Sequence, residues 1–366
     1  MRPSLQWQWR FLRDFLGGDR ATAPPFALAV DVTQRCNLSC LHCRRHSPMA
    51  AESDALERRD FPLALFQDLC RQALEWGIRK IVLIGEGEPL LHPGLMEMIC
   101  AAKTAGREAV MLTNGTLIDG AMASEFVTRA LDELRFSLWA SNVDEYRAQY
   151  PGTPPVFFDR ALQGIRHSVA AKRAAGSSHP RIVVHRPIDP RFLHTLDATL
   201  KLAHEHGCDA VSFSPLKPLL PEDEERLLTP QQSQELMAHL ERLKREAARL
   251  HLAHNFADLV ARLKLGREVW RQLPCYIGRI DMRLRVSGDV VPCDTCNWVM
   301  GNAEAQSLRD IWNSKEYRAF RRLGREAGRI PLSPHGCLCD YCCHAITNQR
   351  CHRTLRWLRI PAAQEG

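Results

Sequence analysis

The segment Cys36-Asn37-Leu38-Ser39-Cys40-Leu41-His42-Cys43 sets three cysteines in a C-x3-C-x2-C frame. Thiolates at that spacing can wrap one small inorganic object. A cubane [4Fe-4S] cluster has four irons, so three thiolates leave one iron open to a non-protein ligand unless a distant residue closes the set. Zinc is the competing reading, although it prefers complete tetrahedral sites with a second ligand pair farther along. The next cysteine is Cys70, while His42 and His46 lie close by. The spacing favours a cluster with an open iron over zinc or ordinary thiols.

A second group lies near the carboxyl terminus, where eight cysteines fall between Cys275 and Cys351. Cys275, Cys293 and the pair Cys339-Asp340-Tyr341-Cys342 offer four thiolates, enough to close a [4Fe-4S] cluster or to bind structural zinc. Cys296, Cys337, Cys343 and Cys351 remain and could hold a second metal centre. Cys70 and Cys100 fall in helical patterns and read as small buried hydrophobes. Cys208, just before a strand-like run, is a candidate hydrogen-atom donor.

The elements that must position these groups follow from the apolar pattern. Strand-like runs cover Phe26 to Val32, Lys80 to Ile84, Ala109 to Thr113, Leu134 to Trp139, Arg181 to Val184 and Ala210 to Phe213. Helical periodicity falls between them, near 62–76, 94–105, 121–130, 157–174 and 193–206. Such alternation predicts an α/β fold with a parallel sheet. Residues 1–25 form an extension in which the amphipathic segment Leu5 to Leu16 is punctuated by Gly17-Gly18 and Pro24-Pro25. The sheet region is expected over 26–214, a proline-led linker with one charged helix near 231–266 over 215–270, and a small cluster-bearing domain over 271–366.

Composition narrows the class. A chain of 366 residues with 45% hydrophobic and 25% charged residues can build two ordinary cores. It has no apolar run long enough to span a bilayer and no signal peptide pattern, so a cytoplasmic location without membrane contact is expected. Most of its 14 cysteines fall in metal-like groups and not in a disulfide framework. The net charge of +7 is spread along the chain without interleaved aromatics, which argues against a nucleic-acid surface.

The three-cysteine loop after a first strand resembles the hallmark of the radical S-adenosylmethionine (SAM) superfamily. The segment Gly85-Glu86-Gly87-Glu88-Pro89 resembles that family's Gly-Gly-Glu-Pro turn, with Glu86 in place of the first glycine. His42 stands where many members carry an aromatic residue. Gly288 to Cys293, Gly301-Asn302 and Leu308 to Asn313 resemble the SPASM and Twitch domains that follow many such barrels. Full SPASM continues with two further cysteines, where this chain has Asn348 and His352.

The resemblance implies a partial (β/α)6 radical SAM barrel followed by a small C-terminal iron-sulfur cluster domain. It implies a [4Fe-4S] cluster on Cys36, Cys40 and Cys43 whose open iron binds SAM, and at least one auxiliary [4Fe-4S] cluster on Cys275, Cys293, Cys339 and Cys342. Gly87, Glu88, Pro89, Asn114 and Ser137 are the expected SAM and cavity residues, and Arg186 is expected to grip the SAM carboxylate or a substrate anion. A flavodoxin- or ferredoxin-type donor would supply electrons. The activity implied is generation of a 5'-deoxyadenosyl radical that abstracts hydrogen. The leading expectation is net two-electron oxidation of a small polar metabolite, such as a sugar or aminocyclitol alcohol. The alternatives are a peptide-modifying maturase that crosslinks or oxidises side chains, and a redox-neutral epimerase using a thiol such as Cys208 or Cys351. The sequence names no catalytic base.

Overall fold

The structure is a computed structural model that describes residues 5–16, 18–50 and 58–358. The chain begins with α1 (Leu5–Leu16), β1 (Ala27–Asp31), α2 (Leu63–Trp76), β2 (Lys80–Ile84), α3 (Leu95–Thr104) and β3 (Glu108–Thr113). It continues through α4 (Gly120–Thr128), β4 (Glu133–Ser137), α5 (Val143–Gln149), α6 (Val156–Ala174), β5 (Arg181–Ile188), α7 (Leu196–Glu205) and β6 (Ala210–Pro215). After α8 (Pro230–Arg249), β7 (Ala253–His254) and α9 (Phe256–Leu265) come β8 (Asp281–Leu284), β9 (Asp289–Val291) and β10 (Gly301–Asn302). Helices α10 (Leu308–Trp312), α11 (Lys315–Gly324) and α12 (Ala345–Trp357) complete it.

Strands β1 to β6 pair in sequence order and in parallel, and the intervening helices cover one face. This is the expected partial (β/α)6 barrel. Strand alternation sorts the side chains: Ile81, Leu83, Leu134 and Phe136 are fully buried under the helices, while Val82, Ile84, Arg135 and Ser137 face the barrel interior and are only half-buried.

The sheet does not stop at the expected segment boundaries. β7 extends it beyond β6 and β8 joins the other edge beside β1, both in parallel, with β9 and β10 added antiparallel. The single charged helix expected over 231–266 is two helices. α8 starts on a capping box between Thr229 and Gln232, with Pro230 in its first turn. It stops before His251, whose φ of 55° cannot continue a helix, and β7 intervenes before α9. The expected amphipathic helix over 5–16 is present and belongs to an extension that docks on the carboxyl-terminal region. Phe15 meets the Tyr276 ring edge-on at 5.3 Å, and Trp312 Nε1 donates to the Ala23 carbonyl at 3.0 Å.

Candidate active site

The cluster loop leaves the carboxyl end of β1, the end of a parallel sheet at which ligands bind. Arg35 anchors its start: Nε and one terminal nitrogen reach the two Asp60 oxygens at 3.1 and 2.8 Å. The turn after β2 then packs on this segment, with Gly87 N donating to Thr33 O at 2.9 Å and Glu88 N to Arg35 O at 2.7 Å. A Cβ built on Gly87 would sit 2.1 Å from the Arg35 oxygen, so only glycine fits there.

Cys36, Cys40 and Cys43 converge in the loop that follows. Burial pushes the Cys36 thiol up to about 12 and Cys40 well above its ordinary range; Glu88 and Cys43 raise Cys36 further, and Cys43 and Cys36 raise Cys40. Three crowded, half-buried sulfurs become thiolates together only around a cationic core, which is the donor chemistry of an iron-sulfur cluster. The His46 amide already donates to Cys43 Sγ at 3.2 Å.

The neighbouring strand ends hold this loop. Glu88 is buried and accepts from Thr113 Oγ1 at 2.6 Å, Asn114 N at 2.7 Å and Leu90 N at 3.2 Å. Burial pushes its carboxyl up to about 7 against those hydrogen bonds. Pro89 opens the short helical turn 89–91 that Glu88 caps. Asn114 donates through Nδ2 to Asn37 Oδ1 at 2.9 Å, inside the cluster loop. Ser137 accepts from Trp139 Nε1 at 3.0 Å, and that indole stacks on His42 at 5.4 Å. His42 in turn meets Asp223 Oδ1 at 2.6 Å and Asp189 at 3.6 Å. Against the pull of burial, these carboxylates hold the imidazole pKa above its ordinary value. The structure thus gathers Gly87, Glu88, Pro89, Asn114 and Ser137 around the loop, with the side chains of Glu88, Asn114 and Ser137 in supporting hydrogen bonds.

Arg186 is the exception. It points out of the barrel into the helix layer, where it meets Glu145 Oε2 at 3.1 Å, Thr199 Oγ1 at 2.6 Å and Thr195 Oγ1 at 2.9 Å. The expectation that it grips the SAM carboxylate or a substrate anion is corrected, because strand alternation sends residue 186 to the outer face. His185 takes the inward place beside Ser212, at 3.4 Å, and burial drives its pKa down to about 3, leaving a neutral imidazole inside the barrel.

The auxiliary cysteines also converge. Cys275 is tied through its amide to Gly324 O at 2.8 Å, and the Cys339–Cys342 turn is clamped by Arg267 and Trp270 on Asp340, at 2.6 and 2.9 Å. Burial raises Cys275 to about 11 and Cys293 to about 12, and Cys339 and Cys342 feel both of them. The four thiols thus share one neighbourhood. Asn348 is buried, its side chain hydrogen-bonded to the Cys275 thiol and accepting from Tyr276 N at 2.9 Å, and His352 meets the Tyr276 hydroxyl at 2.9 Å. The two residues that replace SPASM cysteines therefore pack the base of this site.

The leftover thiols do not gather. Cys296 and Cys337 are bonded to each other, Cys343 lies exposed beside the auxiliary set, and Cys351 faces Tyr276 and Asp281. Asp281 starts β8 opposite Ala27, and Cys208 precedes β6, so Cys351 and Cys208 both lie toward the strand ends remote from the cluster loop. Neither fits the expected role of hydrogen donor. Cys70 is buried as expected, whereas Cys100 is exposed on α3.

Two connected lining sets mark the space between the sulfur groups. A cavity of about 160 Å³ is bounded by Asp31, Cys43, Gly85, Arg283 and Asp294. A wider mouth of about 750 Å³ is bounded by Arg44, Arg45, Leu219, Glu222, Arg285 and Leu338. Sequence reading missed the basic lining, because its residues come from two segments far apart in the chain, 44–45 and 283–285.

Residues 30–229 match the Radical SAM superfamily, and residues 275–343 match SPASM, an iron-sulfur cluster-binding domain. The chain is 24% identical over 336 residues to an AdoMet-dependent heme synthase from Methanosarcina barkeri, covering 88% of this chain and 92% of that one. It is 26% identical over 325 residues to a PqqA peptide cyclase from Xanthomonas campestris, covering 86% and 79%. Among solved structures it is similar to Streptococcus suis SuiB bound to S-adenosylmethionine, with a TM-score of 0.66 and 15% identity over 91% of this chain and 77% of that one. SuiB bound to precursor peptide SuiA gives a TM-score of 0.63 and 14% identity over 87% and 73%. With its three-cysteine loop on a partial barrel and its four auxiliary cysteines beyond, the chain belongs to the radical SAM superfamily and is a radical SAM enzyme with a carboxyl-terminal SPASM domain, whose cofactors are SAM and [4Fe-4S] clusters.

Proposed function

We propose that this enzyme oxidatively modifies a peptide, and that a flavodoxin- or ferredoxin-type protein reduces it. The observation that carries the reading is the wide mouth of about 750 Å³ walled by the cluster loop, the 219–222 segment and the carboxyl-terminal domain, a space in which an extended chain can lie. The likeness to a peptide cyclase over 325 residues supports it, as does the fold shared with a protein solved with its precursor peptide. The sugar or aminocyclitol reading has no comparable support. A second reading, modification of a tetrapyrrole, rests on the likeness to a heme synthase.

In this proposal Cys36, Cys40 and Cys43 hold the first cluster, and Cys275, Cys293, Cys339 and Cys342 hold one auxiliary cluster. When bound and reduced, the first cluster supplies the electron that cleaves SAM to methionine and a 5'-deoxyadenosyl radical. The protein's own part is positional. Gly87 lets the turn after β2 close on the cluster loop, Asn114 and the Ser137–Trp139–His42 chain fix that loop, and Asp223 ties His42 to the segment that walls the mouth. Asp223 Oδ2 accepts the Leu219 and Leu220 amides, both at 2.9 Å, so cluster loop and mouth are braced by one carboxylate.

The test uses anaerobically reconstituted enzyme with SAM, reductant and deuterated candidates: short peptides encoded beside its gene, sugars or cyclitols, and a porphyrin. Deuterium should enter 5'-deoxyadenosine from a peptide, which should lose two hydrogens in mass. Transfer only from a sugar, cyclitol or porphyrin would sink the peptide reading. A peptide of unchanged composition that has gained one solvent-derived hydrogen would replace oxidation by epimerisation.

A further inference from the structure

Three guanidinium groups crowd the mouth of the cavity. Arg44 and Arg45 follow Cys43 directly, and Arg285 arrives on the turn between β8 and β9. Arg44 and Arg45 lie close enough to Arg285 to oppose its charge. Of the acids lining the two spaces, Glu86 and Asp31, which face Arg285, are already committed, and Glu222 at the rim makes no ion pair with these arginines among the described residues. Glu86 takes Arg45 at 2.6 Å and Gln34 at 2.9 Å, and Asp31 is held by both Arg283 nitrogens, at 3.1 and 2.6 Å. Lys217, on the same side, is committed to Asp294 and to Thr295. Arg44 has no carboxylate partner among the described residues. Among the described residues, Arg285 donates only to neutral oxygens, the Cys296 carbonyl at 3.1 Å and Asn297 Oδ1 at 2.8 Å.

Like charges gathered around a concave site cost free energy unless an anion joins them, and arginine is the residue suited to grip a carboxylate by two parallel hydrogen bonds. Leu219, Leu220 and Leu338 line the same mouth and offer apolar contact beside the charges. We propose that Arg44 and Arg285, with Arg45 in support, form a carboxylate-binding site that anchors an acidic group of the substrate at the entrance to the space between the two cysteine sets. The inference rests on the peptide reading above, so the expected ligand is a Glu or Asp side chain flanked by apolar residues.

The experiment measures binding and not turnover. Fluorescently labelled peptides that alternate Glu with Leu, and their Gln–Leu counterparts, are titrated anaerobically against SAM-loaded holoenzyme by anisotropy, with a tetracarboxylate porphyrin as a third probe. Wild type should bind the Glu peptide at least about tenfold tighter than the Gln peptide, and the preference should shrink as salt is raised. The double variant Arg44→Gln, Arg285→Gln should reduce the preference to less than about threefold, and Arg44→Lys with Arg285→Lys should restore part of it. Iron content and circular dichroism verify that each variant is folded and loaded. Equal binding of both peptides by wild type, or a preference that survives in the Gln double variant, overturns the carboxylate site and leaves the peptide reading standing. Arginine-dependent binding of the porphyrin alone upholds the site and removes the peptide reading. A double variant with unchanged peptide preference but slower reduction by flavodoxin would make these arginines an electron-donor dock, against the proposal.

Discussion

Arg186 and His185 are neighbours with opposite destinations. His185 stays inside the barrel as a neutral imidazole, and Arg186 leaves it to pair with Glu145 under α5 and α7. Both members of that pair are almost fully buried, at 1% and 3% side-chain exposure. Removing one partner of such a pair strands the other charge, at a cost of about 3–5 kcal/mol. Arg186→Met should therefore lower unfolding free energy by about that amount in urea, while SAM affinity of the folded variant stays near wild type. A variant of unchanged stability with weakened SAM binding would return Arg186 to the cofactor site.

Elements explain why the sulfurs meet. A loop at the carboxyl end of β1 brings three of them together within eight residues, and the auxiliary set needs the β8–β9 region, the loop before α12 and Gly324 at the end of α11. At Gly324 a Cβ would come 2.5 Å from the Cys275 oxygen, so the helix end approaches that cysteine as only glycine permits. If one auxiliary cluster is present, reconstituted protein should carry about eight irons per chain, falling to about four when Cys36, Cys40 and Cys43 are replaced by alanine. Cys296→Ser with Cys337→Ser should leave the count near eight. A native count near twelve, lowered by about four in that double variant, would establish a second auxiliary cluster. Zinc in place of iron would remove both versions.

At the scale of the whole molecule, barrel and SPASM domain share one sheet. β8 pairs with β1 over four residues, and the Arg283–Asp31 ion pair crosses the same seam at the cluster-loop end. The extension before β1 docks on the carboxyl-terminal region through Trp312, Asn313 and Arg321. A chain ending at residue 270 would leave the β1 edge unpaired and Asp31 without its guanidinium, and exposed strand edges invite association. It should elute as aggregate in size-exclusion chromatography and cleave no SAM. A monomeric truncation with wild-type SAM cleavage would make the barrel an independent unit.

The sequence by itself determined what depends on neighbours in the chain. Cys36, Cys40 and Cys43 announce a cluster because their spacing is local, and Lys80 to Ile84 announces a strand because a short apolar run needs only five residues. Gly87 was legible as part of a family-like turn, although the Arg35 carbonyl it packs against was not. The tertiary structure decided what depends on convergence. Shifting one residue along β5 exchanges the barrel interior for the helix layer, and no pattern in Arg181 to Val184 fixes which face residue 186 takes. Asn348 and His352 read as departures from a cysteine motif and proved to be packing around Cys275 and Tyr276. Arg44, Arg45 and Arg285 are ordinary basic residues until folding sets them around one mouth, because like charges acquire chemical meaning only from their distances in space.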